Sequence, residues 1–121
     1  MELSPSNDSQ KFSLKKFESM LKTNNVFFFD SNEFENIIHH YLEIGKVALA
    51  KKAIILGLDQ HPSSINLRLF RVEILIFEND FNAAEKLLNS LFEVEPNTEE
   101  LFIQRANIYS KKDQHHEAIE T

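Results

Sequence analysis

The sequence has no cysteine and no tryptophan, and its 121 residues include only 2 glycines and 3 prolines. Without cysteine there can be neither disulfides nor thiolate metal ligands, so a reducing, cytoplasmic setting suits the chain. So few glycines and prolines cannot punctuate the many tight turns of a sandwich or barrel, and long helices on short loops fit better. No apolar run is long enough to span a bilayer. The opening "MELSPSNDSQ" lacks the basic run and apolar stretch of a signal peptide. Basic charge is scarce as well: 13 Lys and Arg stand against 19 Asp and Glu, a net −6. That balance opposes a general role on nucleic acid or on an anionic membrane, where basic residues drive binding.

What the chain does have is helical periodicity. Residues 1–10 are polar and expected to be disordered. From Ser13, a plausible N-cap, Leu14, Phe17, Met20 and Leu21 recur at helical spacing. "NNVFFFD" could be a short strand, but it has no second strand to pair with. The preferred reading makes Asp30 a cap with Glu33 completing a capping box, and Phe29 with Phe34 a hydrophobic staple. Val26, Phe27 and Phe28 are then an apolar plug against the helices. Helices are expected over 31–43, stopping near Gly45, and over 46–59. "INLRLFRVEILIF" is apolar almost all round, so it should be the most buried helix. Asn79-Asp80 breaks it and Asp80 caps the next helix. Asn97 and Glu100 stand in capping-box relation, opening a helix to about Lys111, and "DQHHEAIET" begins another.

A spacing of 34 residues runs through these helices. Ala50, Ala84 and Ala118 fall in one column, Pro62 and Pro96 in a second, Tyr41, Leu75 and Tyr109 in a third, and Ile54 and Leu88 in a fourth. Two antiparallel helices approach closely where one offers a small side chain, with larger residues filling the space on either side. Proline closes each hairpin and sets up the next.

The segments resemble tetratricopeptide repeats, 34-residue helix-turn-helix units. Phe34, Ile37, Ile38, Tyr41, Ala50, Ile54 and Pro62 answer the pattern in the first segment, and Phe102, Ala106, Tyr109 and Ala118 answer it in the third. The middle segment departs in its first half, with Arg68 and Arg71 at usually apolar places and Val72, like Ile38, replacing the small residue. "FESMLKTNNVFFFD" also looks like the start of certain bacterial proteins of this family. The resemblance implies an all-α, right-handed superhelix (an α-solenoid) of antiparallel hairpins. Its parts would be a disordered 1–10, a helix and plug over 11–30, repeats at 31–64 and 65–98, and a truncated repeat at 99–121. A chain stopping early in a third hairpin reads as the N-terminal piece of a longer array, with an uncovered end prone to weak self-association.

No catalytic constellation is apparent, so no enzyme activity and no cofactor are expected. His39-His40 and His115-His116 are adjacent pairs whose rings point about 100° apart on a helix, so neither pair grips one ion. Glu35, His39 and Glu43 share a face at steps of four, but zinc wants more nitrogen or sulfur ligands, and a solvated stripe is preferred. His61 reads as an exposed turn residue. Gly45 and Gly57 begin no phosphate-binding loop, and the 11 phenylalanines are mostly core.

The family resemblance implies a concave groove lined by the first helix of each repeat. Its lining would be Glu35, His39, Leu42 and Glu43, then Asn66, Leu69, Glu73, Ile76 and Phe77, then Glu100, Ile103, Gln104 and Asn107. An apolar floor with an acidic rim suits a protein or peptide with apolar anchors and basic flanks. Leu69, Ile76 and Phe77 could equally face a neighbouring element. The family's chaperone-tail clamp is not expected, because its basic and amide positions hold Glu35, His39, Phe70, Glu100 and Gln104 here. Two functions stay open: an adaptor that binds a partner in the groove, or a spacer or self-association module with no peptide ligand of its own.

Overall fold

The computed structural model describes the backbone of residues 5–120 and the side chains of residues 11–114. It is all-helical, with no strand among the described residues. Six helices follow one another: α1 (Pro5–Thr23), α2 (Ser31–Glu43), α3 (Val47–Gln60), α4 (Ile65–Phe77), α5 (Phe81–Val94) and α6 (Glu99–Glu120). The chain divides into two compact units, Met1–Leu67 and Arg68–Thr121.

In the first unit α2 packs on both α1 and α3. α1 begins at Pro5, eight residues before the expected cap. Ser13 therefore lies inside the helix, 3 % exposed, and its hydroxyl donates to Glu33 Oε2 at 2.6 Å. The capping box at α2 forms as expected, with the Asp30 N–H donating to Glu33 Oε1 at 2.9 Å. The staple forms too: the Phe29 and Phe34 rings are both fully buried, with centroids 5.3 Å apart. Phe17 joins them from α1, at 6.2 Å from Phe29 and 6.1 Å from Tyr41. Tyr41 is buried, and its hydroxyl donates to Glu18 at 3.1 Å. Burial first, and this bond second, push the phenol pKa well above its ordinary value.

The plug is not where the sequence put it. Val26 and Phe28 are 83 % and 64 % exposed, and Phe29 alone of "VFFF" is buried. Residues 24–30 form neither helix nor strand, so their backbone needs other hydrogen bonds. α3 and the loop after it supply them. Gln60 accepts from the Phe29 N–H at 3.0 Å and donates to the Phe27 carbonyl at 2.8 Å. His61 Nε2 donates to the Phe29 carbonyl at 2.6 Å. His61 is thus no exposed turn residue; its ring also lies 5.4 Å from Phe28 and 6.1 Å from Phe34.

Helix ends recur with the 34-residue spacing. α2 stops at Gly45 (φ +76°), where the Gly45 N–H donates to the Leu42 carbonyl and the Lys46 N–H to the Tyr41 carbonyl. α4 stops at Asn79 (φ +63°), with the Asn79 N–H on Ile76 and the Asp80 N–H on Leu75. Both are left-handed caps of the Schellman type, for which Gly and Asn are the favoured residues. The ends of α3 and α5 match as well: His61 has φ −131°, ψ 70° and Glu95 has φ −130°, ψ 72°.

In the second unit α5 packs on α6. Asp80 caps α5 as expected, accepting from the Ala83 N–H at 3.4 Å. α5 buries Phe81, Ala84, Leu88 and Leu91, and α6 buries Leu101, Gln104 and Ile108. α4, which straddles the two units, buries Leu67, Leu69, Val72, Ile74 and Ile76, in keeping with its apolar sequence.

Two expectations fail in α6. The capping box of Asn97 and Glu100 does not form: the helix starts at Glu99, and the Glu100 carboxylate instead accepts from Gln104. The break after Lys111 is also absent, because α6 runs unbroken to Glu120. The position 34 residues beyond Asn79 is Asp113, inside the helix. No glycine or asparagine lies between Ser110 and Glu120 to take the left-handed turn that ends α2 and α4. The packing expected of Ala118 and Ile119 lies outside the described side chains.

Candidate functional site

Within the first unit the expected groove residues gather around two contacts. Asn66 Nδ2 donates to Glu35 Oε1 at 3.3 Å. His39 Nε2 meets Glu43 Oε1 at 2.8 Å, and both of those side chains are 65 % exposed. Leu42 is half-buried beside them. Glu35 thus goes to Asn66 rather than joining His39 and Glu43. No group of three or more His, Asp or Glu side chains among the described residues is placed to hold a metal ion.

The second unit holds the denser arrangement. Glu73 of α4 and Glu100 and Gln104 of α6 converge. Gln104 Nε2 lies 3.3 Å from Glu73 Oε1 and 3.2 Å from Glu100 Oε1. Helical spacing makes the second contact, since residues four apart on a helix are neighbours. Gln104 is 3 % exposed, while both glutamates are exposed. Its carbonyl oxygen is buried with no hydrogen-bond donor among the described residues. Beside this cluster stand two exposed apolar side chains, Phe77 at 71 % and Ile103 at 45 %, each one helical turn beyond a glutamate. Asn107 is exposed on the next turn of α6.

Leu69 and Ile76 are 7 % exposed each. They are core, and offer no apolar floor to a ligand. The spacing that nominated them is shared by core and groove residues alike, and only burial separates the two. The sequence reading also passed over Gln60, whose amide pins the 27–29 backbone. A long polar side chain at a helix end carries no signal of its target.

A small cleft of about 70 Å³ lies between α5 and α6, lined by Glu85, Leu88, Asn89, Arg105, Ile108 and Tyr109. It is far below the few hundred Å³ of an ordinary ligand pocket. Arg105 is committed to structure there. Its guanidinium stacks 4.0 Å from the Phe92 ring centroid and donates to Asn89 Oδ1 at 3.1 Å.

No protein family, curated protein or solved structure matches the chain.

Proposed function

We propose that the chain is a protein-interaction scaffold, with no catalytic activity of its own, that holds a basic partner segment bearing apolar anchors. The reading rests on the exposed face of the second unit, where Phe77 and Ile103 flank the carboxylates of Glu73 and Glu100. Exposed apolar side chains supply contact area, and the carboxylates select against acidic sequences. Residues 68–121 carry 6 Lys and Arg against 11 Asp and Glu, which favours the approach of a cationic segment. The same carboxylates argue against an anionic C-terminal tail as the ligand.

The scaffold is read as an array of tetratricopeptide-like hairpins. Supporting this are the paired caps at Gly45 and Asn79, 34 residues apart, and the matching backbone angles at His61 and Glu95. Fluorescence anisotropy of a labelled Lys/Leu peptide, set against a Glu/Leu peptide of equal length, tests the function. Binding of the basic peptide that weakens with salt supports it. Equal affinity for both peptides, or none for either, overturns it.

A second reading has its own observation. Phe102 and Tyr109 are 52 % and 56 % exposed and lie seven residues apart on one side of α6. A second copy of the chain could cover them. Sedimentation equilibrium of the wild type against Phe102→Asp separates the two readings: a dimer that dissociates in the variant would favour self-association.

A further inference from the structure

We propose that the outer side of α6 docks a helix of a partner protein. That helix carries a large apolar residue at its centre, a small residue one turn away on each side, and lysine or arginine beyond. The seam on α6 lies beside the face of Phe77 and Ile103 and binds independently of it.

Glu99, Phe102, Ala106, Tyr109 and Asp113 follow one another at alternating steps of three and four, and all five are exposed. Such steps set side chains in one line, here about 21 Å long, with the spacing by which one helix packs on another.

The chain itself shows what such a line takes. Phe102, Ala106 and Tyr109 stand two 34-residue steps after Phe34, Ile38 and Tyr41. In the first unit those three are 0 %, 0 % and 1 % exposed, and α3 packs on their helix. Along α3, Ala50, Ile54 and Gly57 are buried in the order small, large, small. Gly57 meets the Phe34 ring, where a β-carbon would lie 3.1 Å away. On α6 the equivalent Phe102 and Tyr109 are 52 % and 56 % exposed. Each takes a small residue opposite, and Ala106 between them leaves a hole for a large one.

Charge selects the occupant. Glu99 and Asp113 close the seam at its two ends, so a helix with a cation beyond each small residue is matched in either direction. A second copy of α6 is mismatched in both. Laid antiparallel with Ala106 at the crossing, it brings Glu99 against Asp113 twice. Laid parallel in register, it sets Glu99 on Glu99 and Asp113 on Asp113.

The test uses the full chain and a labelled helical peptide of about 15 residues, long enough to hold the five positions. Its seam reads lysine, alanine, leucine, alanine, lysine at matching steps, with glutamine elsewhere. Fluorescence anisotropy should show saturable binding that weakens with salt. Replacing both lysines by glutamate should weaken binding about tenfold. Ala106→Leu fills the hole from an exposed position with a good helix former, so helicity and Tm should hold while the peptide binds about tenfold more weakly. Phe77→Ser should bind as the wild type does. No saturable binding, equal binding of the lysine and glutamate peptides, or full binding by Ala106→Leu overturns the seam. So does a loss of binding in Phe77→Ser, which would place the peptide on the face of Phe77 and Ile103. A wild-type dimer that Phe102→Asp dissociates and the peptide does not gives the seam to a second copy, and also overturns the assignment.

Discussion

Gly57 of α3 passes Phe34 of α2 so closely that a β-carbon at residue 57 would lie 3.1 Å from the Phe34 ring and 3.2 Å from Leu67. Gly57→Val should overpack this crossing and cost about 1–3 kcal/mol in urea unfolding. Gly57→Ala should cost less, because alanine recovers up to about 1 kcal/mol of helix propensity. Placing Gly57→Ala in a Phe34→Leu background should turn it stabilising, and a double-mutant cycle measures that coupling. Additive effects would mean that the two residues do not meet.

Val26, Phe28 and Phe29 should separate cleanly. Phe29 is fully buried against Phe17 and Phe34, so Phe29→Ala should cost about 3–5 kcal/mol. Val26→Ser and Phe28→Ser should each stay within about 0.5 kcal/mol, as substitutions at exposed positions do. Chemical denaturation of the three variants checks this. A large loss at Phe28 would restore the plug to the place the sequence suggested.

Ala84 is fully buried in α5. Ala84→Leu should cost about 1–3 kcal/mol by overpacking the helix crossing. A neutral effect in thermal melts would mean that no close crossing occurs there.

How much was legible in the sequence follows from the range of each signal. The Asp30–Glu33 box, the Gly45 stop and the Asp80 cap are set by residues within four positions of one another, and all three formed. The box of Asn97 and Glu100 had the same spacing and did not form. There Glu100 has a competing partner in Gln104, one turn inward. The expected break after Lys111 has no glycine or asparagine to make it, and without such a residue the helix continues. In the candidate site, Glu73, Glu100 and Gln104 were each named as groove residues. Their convergence was not legible, because Glu73 and Gln104 are 31 residues apart and meet only in the folded unit.

Acid should weaken the junction between α1 and α2. Burial pushes the Glu33 carboxyl up, but the Ser13 hydroxyl, the Asp30 N–H and the Lys16 charge more than reverse this and leave its pKa lowered from 4.5. A lowered folded-state pKa contributes stability that is fully present above the unfolded value and lost as pH falls through the folded one. The Tm of the wild type should therefore exceed that of Glu33→Gln above about pH 5. The two curves should converge on acidification below pH 4.5. Parallel curves would show that Glu33 contributes no proton-linked stability.

The Gln60 and His61 hydrogen bonds to residues 27–29 also bear on how quickly the first unit can assemble. They are among its more distant closures in sequence, about 31 to 33 residues, and its helix pairings join neighbours along the chain. Short-range closure keeps the entropy of the search small, and helical domains of such low contact order fold in about microseconds to milliseconds. Folding of Met1–Leu67 should therefore be limited by docking the "VFFF" segment under Gln60 and His61 rather than by forming its helices. Gln60→Ala should then slow refolding in stopped-flow traces.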